Sequence, residues 1–243
     1  MNRGKNIYRC LLLLMAAALI LLPAGALYLS QKPLPVNIAV TPPGLSPVEK
    51  IPPEQRNVYD LILLGAREEV NKKTRYDAAY QAISYPGGDL NPGQGACTDV
   101  IIRALRLAGY DLQQLIHEDM CTNFDLYPQL WGLSRPDPNI DHRRTQNQIV
   151  FFKRFGETLT LGVLETDLPQ WKHGDFVYWQ LPGGQQHTGV ISDRTGTRGF
   201  PLVIHNSSVA REEDCLQRWK IIGHYRFPNQ QKVDGGTELL STN

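Results

Sequence analysis

The stretch Gly95-Ala-Cys-Thr-Asp-Val-Ile-Ile-Arg-Ala-Leu-Arg-Leu-Ala-Gly109 decides how this chain folds. Its apolar residues recur at intervals of three and four, Thr98 and Asp99 suit a first helical turn, and Gly109 suits a helix end. We therefore predict a helix with Cys97 in its first turn. A thiol there lies beside unpaired N–H groups and the positive end of the helix dipole, which favour a thiolate and can hold an oxyanion. Cys97 is the candidate nucleophile.

The overall composition is that of an ordinary globular protein. Of 243 residues, 42% are hydrophobic and 20% are charged, and the formal net charge is +1. A chain of this length holds one domain of common size once its N-terminal segment is set aside. The near-neutral charge, without a polybasic run, gives no reason to expect a nucleic-acid partner. We expect no cofactor and no metal, since His117 and His224 lack the spacing of metal ligands.

The N-terminus carries a targeting signal. Arg3, Lys5 and Arg9 precede an apolar run at residues 10–29, and Ala24-Gly-Ala26 offers a small-residue cleavage site, as in a secretory signal peptide. The run is also long enough to span a bilayer as an uncleaved anchor. Either way we expect the remainder of the chain to be exported, free in the periplasm or anchored to the inner membrane.

Composition divides the chain into four parts. Residues 1–29 form the signal peptide or anchor, 30–53 a proline-rich linker, 54–229 the folded domain and 230–243 a polar tail. Helical spacing comes first in the domain, and short strands follow. This order favours an α+β fold, with N-terminal helices on a small antiparallel sheet. The expected helices are 54–73, 97–109, 111–120 and 149–155, and the expected strands are 158–163, 175–180, 189–192, 202–205 and 223–227.

Three cysteines lie outside the targeting segment. In an oxidising compartment an odd number suggests one disulfide and one free thiol. Pairing Cys121 with Cys215 leaves Cys97 free and closes a long loop, which would stabilise the fold by roughly 4–5 kcal/mol. The alternative is three buried, unpaired thiols.

Two histidines are candidates for the base that a thiol nucleophile needs. Such a site also requires a third polar group that orients the base. His187 precedes an apolar strand, and His205 and Asn206 end another. Adjacent strands can hold His187 and His205 side by side, facing the helix of Cys97. We predict that the three side chains converge.

The order of these pieces resembles the papain-like cell-wall hydrolases of the NlpC type. In that family a helix-borne cysteine precedes a strand beginning His-x-Gly-[Ile/Val] and a second strand ending in a polar residue, often histidine. The matching pieces here are Cys97, His187-Thr-Gly-Val190 and Val203-Ile-His205, and Tyr85-Pro-Gly-Gly88 resembles the family's tyrosine and glycine pair. The resemblance covers roughly residues 85–227 and implies a papain-like fold.

A closer likeness is to an uncharacterised exported bacterial family that includes the YijF proteins. It is carried by the Cys-Thr-Asp-Val-Ile-Ile-Arg-Ala helix from Cys97, Asp137-Pro-Asn-Ile-Asp-His-Arg-Arg144, the His187 segment, Val203-Ile-His-Asn206 and Gly223-His-Tyr-Arg226. These segments are specific, but they name a family without naming a reaction.

One position departs from the NlpC pattern. That family usually has Asp-Cys-Ser-Gly where this chain has Ala96-Cys-Thr-Asp99. A carboxylate that faced the sulfur would raise the pKa of the thiol. We expect Asp99 instead to serve the helix N-terminus or a neighbouring arginine.

The resemblance implies a role for each side chain. Cys97 attacks a carbonyl carbon as a thiolate, His187 takes the thiol proton and later protonates the leaving amine, and His205 orients His187, with Asn206 as its substitute. The oxyanion donors are the backbone N–H of Cys97 and the hydroxyl of Tyr85.

The segment Asp141-His142-Arg143-Arg144 is expected to line the substrate groove. An arginine fork suits a carboxylate, such as those of peptidoglycan stem peptides. The alternative is a loop locked by Asx turns and by an ion pair between Asp141 and an arginine.

The leading hypothesis is an exported cysteine hydrolase of the amidase or endopeptidase type, which cleaves an amide in peptidoglycan peptides or a related cell-envelope substrate. The alternative is a non-catalytic module that retains a papain-like scaffold and binds cell-wall peptide or a protein partner. Ala96 and Asp99 beside the thiol favour this alternative. A metal-dependent hydrolase using His142, His187 and His205 is a third hypothesis, weakened by their spacing.

Overall fold

A computed structural model describes residues 44–229 of the chain. The expected signal peptide or anchor (1–29), residues 30–43 of the expected linker and the expected polar tail (230–243) lie outside the described residues. Within residues 44–229, no helix has both the length and the apolar character needed to cross a membrane.

Four α-helices form within the described residues, and polar side chains hold the starts of the first three. Asn57 Oδ1 accepts from the N–H of Asp60, while Asp60 Oδ2 accepts from the N–H of Asn57. This reciprocal capping starts the first helix at Val58, four residues later than expected. Asp111 caps the third helix by accepting from Gln113 N–H. The helices are α1 (Val58–Asn71), α2 (Cys97–Leu107), α3 (Leu112–Asn123) and α4 (Thr145–Phe155).

Six strands form an antiparallel sheet in the order β3-β8-β4-β5-β6-β7, and a short parallel pair, β1 with β2, lies outside it. Helices precede the main sheet, so the predicted α+β class is confirmed. The strand β7 was not predicted, because its sequence Ala-Arg-Glu-Glu has no alternating apolar residues. The strands are β1 (Arg75–Tyr76), β2 (Gln94–Gly95), β3 (Glu157–Thr158), β4 (Phe176–Gln180), β5 (Gln186–Thr195), β6 (Pro201–Asn206), β7 (Ala210–Glu213) and β8 (Lys220–Arg226).

The sheet separates two buried clusters. Val190 of β5 packs with residues of all four helices on the helical face. Its neighbour Ile191 packs instead with Trp171, Trp179 and Leu216 on the other side, which we call the outer face. Because side chains alternate along a strand, Thr188 shares the helical face with Val190, and His187 shares the outer face with Ile191.

The folded domain begins earlier than the expected boundary at residue 54. Val48 is buried, and its N–H donates to Asp193 Oδ2 at 2.7 Å. The buried Arg67 of α1 donates to Ser46 Oγ at 2.7 Å. Residues 46–50, predicted as part of an extended linker, therefore pack against α1 and β5.

The expected disulfide does not form. Cys97, Cys121 and Cys215 are all free. Cys121 is exposed on α3, whereas Cys215 is buried in the outer-face cluster. The two therefore lie on different sides of the sheet.

Candidate functional site

Cys97 is the first residue of α2, as predicted. The backbone N–H of Ala96, which precedes the helix, donates to Asp99 Oδ2 at 2.6 Å. A carboxylate in the third helical position thus holds the start of α2, an arrangement that the helix dipole also favours. The expectation that Asp99 serves the helix N-terminus is confirmed.

The thiol of Cys97 is buried among backbone amides. Burial raises its pKa from 9.0 to about 12, and the nearby Asp99 adds to the rise. Backbone N–H groups of Thr188, Thr98 and Cys97 itself donate toward the sulfur and act in the opposite direction. In the free protein the thiol is therefore protonated at neutral pH, within a ring of donors suited to a negative charge.

The two predicted histidines lie side by side and begin a chain of hydrogen bonds. His187 Nε2 lies 2.8 Å from His205 Nδ1. His205 Nε2 lies 2.7 Å from Glu213 Oε1, and Arg218 Nη1 donates to the same oxygen at 2.6 Å. We call these four side chains the relay. Sequence reasoning found both histidines but missed Glu213 and Arg218, because no apolar alternation marks β7.

Two tryptophans enclose the histidine pair on the outer face. The Trp179 ring stacks on His187 with centroids 5.9 Å apart. Trp219 meets His187 and His205 edge-on, at 5.5 Å and 6.2 Å. These rings exclude water from the hydrogen bond between the imidazoles, which strengthens it.

The relay determines which nitrogen of His187 is free. Burial opposes charge on Glu213, but the hydrogen bonds from His205 and Arg218 outweigh burial and lower its pKa to about 2. An ionised carboxylate only accepts, so His205 Nε2 carries a proton. When both rings are neutral, His205 Nδ1 then accepts from His187 Nε2–H. The basic lone pair of His187 is consequently on Nδ1, as a general base requires.

His187 is held neutral as well as oriented. Burial is the largest cause, His205 and Arg218 add to it, and the pKa of His187 falls from 6.5 to about 3. Within residues 44–229, Nδ1 of His187 has no hydrogen-bond partner. The ring is therefore an unprotonated base at neutral pH.

Cys97 and His187 lie near each other at the start of β5 but are not in contact. The backbone N–H of Thr188, the residue directly after His187, lowers the pKa of the Cys97 thiol. The described residues contain no hydrogen bond between the sulfur and the imidazole. The prediction that both imidazoles face the helix is corrected, because the rings pack with the tryptophans on the outer face while α2 approaches the strand from its helical face.

Tyr85 does not lie in the site. Its ring packs against His117 at 4.7 Å, and its ionisable neighbours are Glu118, Cys121 and Asp111. The tyrosine beside the thiol is Tyr76, whose pKa is raised by burial and by the neighbouring Cys97. Its strand β1 pairs with β2, which brings Tyr76 opposite Gly95. No local pattern predicted this long-range pairing.

Asn206 holds the backbone around the site. Its Nδ2 donates to the carbonyl oxygens of Gly95 at 2.8 Å and Thr74 at 3.2 Å. It thereby fastens the end of β6 to the strand that leads into Cys97. The orienting partner of His187 is His205, and the proposed substitute role of Asn206 is not seen.

Most of the expected substrate groove is buried structure. Asp141, His142 and Arg143 form a short 3-10 turn and are at most 7% exposed. Arg143 binds Asp99 through Nε and Nη2, both at 3.0 Å, and also donates to the carbonyl oxygen of Ala79. The groove role is therefore corrected for these three residues, which lock the turn against α2.

The remaining member of that segment is partly accessible. Arg144 donates to Asp141 at 2.8 Å, and its guanidinium lies 3.8 Å from the centre of the Trp131 ring. The ion pair between Asp141 and an arginine, expected for a locked loop, is present. Both arginines of the expected carboxylate fork thus have intramolecular partners.

The structure does not support the three-histidine metal centre. His142 is buried away from the relay, with Arg143, Arg106 and Asp89 as charged neighbours. His205, Glu213 and Cys215 offer ligand atoms within 4.8 Å of one another. Arg218 already neutralises Glu213, however, and both nitrogens of His205 are in hydrogen bonds. These contacts disfavour a cation at that position.

Comparison with known protein families shows to which family the chain belongs. A profile described as "Domain of unknown function (DUF1287)" matches residues 63–227. The chain belongs to the DUF1287 family. Its matched region contains Cys97 and the whole relay.

A relative from Escherichia coli (strain K12), described as "Uncharacterized protein YijF", supports the assignment. It is 47% identical over 174 residues, which cover 71% of this chain and 83% of that protein. The expected relationship to the YijF proteins is thereby confirmed. No solved structure matches the chain.

Removing Arg143 tests its assigned structural role. Burial raises the pKa of Asp99, whereas Arg143 and the Ala96 N–H favour its ionised form. We expect Arg143→Ala, which leaves this carboxylate buried without its partner, to lower the free energy of unfolding by about 3–5 kcal/mol in urea denaturation. Arg198→Ala, which removes an exposed arginine paired with Asp214, is the control and should cost about 1 kcal/mol or less. Equal losses would contradict the role.

Nitrogen-15 NMR of the full chain, with its histidines labelled, can measure the proton positions in the relay. We expect His187 to be neutral at pH 6, with its proton on Nε2, because its pKa is lowered to about 3. Glu213→Ala should remove this fixed proton position, while the control Arg198→Ala should not. A protonated His187 at pH 6, or a proton on Nδ1, would show that the relay is wrongly assigned.

Proposed function

We propose that this protein is an exported cysteine hydrolase of the amidase or endopeptidase type. Cys97 is its nucleophile, His187 its general base and His205 the residue that orients the base. The observation that carries the proposal is the relay from Glu213 through His205, which leaves the basic Nδ1 of His187 free, one residue before the Thr188 amide that lowers the pKa of the thiol.

The proposed reaction uses two proton transfers. His187 Nδ1 accepts the thiol proton as Cys97 Sγ attacks the carbonyl carbon of a substrate amide, and the negative charge moves to the carbonyl oxygen. The backbone N–H of Cys97 at the start of α2 stabilises this oxyanion. The leaving amine takes the proton from His187, and a water molecule, deprotonated by the same ring, then hydrolyses the thioester and regenerates the thiol.

Bringing the sulfur and His187 together requires a local adjustment, since they are not hydrogen-bonded in the free protein. Catalytic hydrogen bonds of free enzymes are often long and shorten when substrate binds. The imidazole packs on the outer face of β5, whereas α2 approaches from the helical face, so the expected movement brings the His187 side chain around the start of β5 toward the sulfur. Substrate in the site would then complete the geometry.

The substrate class rests on sequence. The order of Cys97, the His187 strand and the His205 strand resembles NlpC-type hydrolases, which act on the cell wall and have a papain-like fold. The basic and apolar N-terminal segment favours export. We therefore propose a papain-like domain whose substrate is an amide of peptidoglycan peptides or of a related cell-envelope molecule, in the periplasm or beside the inner membrane.

A non-catalytic cell-envelope binding module is the second candidate. The raised pKa of the Cys97 thiol, about 12, and the neighbouring Asp99 carboxylate favour it. In such a module the thiol is a small buried side chain, and the relay stabilises the outer face.

Peptidoglycan digestion tests the proposed hydrolase. The purified full chain is incubated with purified peptidoglycan, and released fragments are identified by liquid chromatography and mass spectrometry. We expect Cys97→Ala to lower fragment release on the order of 10⁴-fold or more, because it removes the nucleophile. Cys121→Ala, which alters an exposed thiol on α3, should retain full activity. Fragments released equally by Cys97→Ala would rule out thiol catalysis.

Thiol alkylation tests the protonation state of Cys97 in the free protein, and the same variants in the digestion assay separate the two candidates. Iodoacetamide labelling of each cysteine is followed by peptide mass spectrometry, with exposed Cys121 as the internal reference. We expect labelling of Cys97 to increase from pH 7 to pH 10 without a plateau, because its pKa is about 12. His187→Ala should leave this rate unchanged, because the ring is not bonded to the thiol in the free protein, but it should lower fragment release from peptidoglycan by at least about tenfold, since the base is lost. If the unmodified chain releases no fragments although Cys97 is labelled as expected, the binding module is favoured.

A further inference from the structure

A pocket beside Trp219 has no role in the chemistry proposed above. Its volume is about 420 Å³, and it is lined by the turn between β4 and β5 and by Arg218, Trp219 and Lys220. Lys220 pairs with Gln180 across β8 and β4, so the main sheet forms one edge of the pocket. The volume accommodates one or two amino-acid residues.

The lining of this pocket is cationic. It contains Arg218 and Lys220 but no carboxylate. Lys220 is exposed and has no ion-pair partner in the described part of the chain. Arg218 lines the pocket with a partly exposed side chain and binds Glu213 through Nη1. Arginine and lysine in this arrangement suit an oxyanion.

The remaining lining is apolar or aromatic apart from Gln180. Leu181 and Pro182 come from the β4–β5 turn, and Trp219 presents its indole. An organic acid gains from burying its apolar part against such walls, whereas inorganic phosphate does not. The pocket therefore favours a carboxylate with apolar carbon next to it.

The same residues connect the pocket to the relay. The Trp219 ring lies 5.5 Å from the ring of His187, between centroids, and Arg218 binds the carboxylate that orients His205. Trp219 is therefore shared by the pocket and the surroundings of His187.

We propose that this pocket binds a carboxylate of the peptide substrate, with Arg218 and Lys220 holding the charge and Trp219 the adjoining apolar group. The proposal rests on the proposed function for its substrate class. The sequence predicted that Arg143 and Arg144 would bind the carboxylate of the substrate, but these arginines bind Asp99 and Asp141. In the present proposal Arg218 and Lys220 bind it instead.

Isothermal titration calorimetry of the full chain tests the pocket directly. The probes are acetyl-D-alanyl-D-alanine, its C-terminal amide and inorganic phosphate. We expect the free acid to bind about tenfold more tightly than the amide, because only the acid carries the charge. Lys220→Gln should weaken binding of the acid by about two- to fivefold, as for one exposed ion pair. Lys153→Gln, which alters an exposed lysine on α4, should leave it unchanged.

Three results would overturn the pocket's assignment. They are equal binding of acid and amide, equal effects of Lys220→Gln and Lys153→Gln, and binding of phosphate as tight as that of the acid. Fragment release from peptidoglycan is measured on the same preparations. If fragments are released but the acid binds no more tightly than the amide, the pocket assignment alone is rejected. If the acid binds more tightly but no fragments are released, the result counts against the hydrolase and the pocket assignment remains.

Discussion

The buried carboxylate of Asp99 is the contact on which the rest of the site depends. It accepts from the N–H of Ala96 and thereby sets where α2 begins, and it pairs with Arg143, which also donates to the carbonyl oxygen of Ala79. One charge thus joins the start of α2, the 3-10 turn at Asp141–Arg143 and the segment after β1. Its place in the first turn also means that it raises the pKa of the neighbouring thiol. The feature that orients Cys97 therefore also opposes its ionisation.

A second set of buried charges holds the edge strand β7 in place. Glu212 of β7 binds Arg67 of α1 at 2.9 Å and Arg194 of β5 at 2.7 Å, and the next residue, Glu213, binds His205 and Arg218. Desolvating so many charges offsets much of their attraction, so the gain in stability is small. Each carboxylate nevertheless requires its partners at fixed positions, and a slip of β7 by one residue would exchange Glu212 with Glu213. The ion pairs therefore determine the register of β7, an edge strand that lacks the alternating apolar residues which usually determine register.

Sequence patterns predicted the features that depend on nearby residues. The start of α2, the role of Asp99 at that start, and the α+β class follow from spacing and short-range hydrogen bonding. The patterns did not predict what depends on pairing between distant segments. Tyr76 reaches the thiol through β1 and β2, and Glu213 reaches His205 through a strand without apolar alternation. The segment around Arg143 was assigned to substrate because its charges suggest a surface, whereas the fold buries them against a carboxylate that lies 44 residues earlier.

The protonation states of the free site fit a thiol that is activated only when substrate binds. Cys97 has a pKa of about 12 and His187 of about 3, so proton transfer between them is strongly unfavourable in the empty site. A neutral, buried thiol resists oxidation, as an unpaired cysteine of the exported protein proposed above requires. In the proposed reaction a substrate carbonyl changes this balance, because negative charge forms on its oxygen, near the backbone N–H groups of α2, as the proton moves to His187. In that proposal the amide donors that fail to ionise the free thiol stabilise charge during the reaction instead.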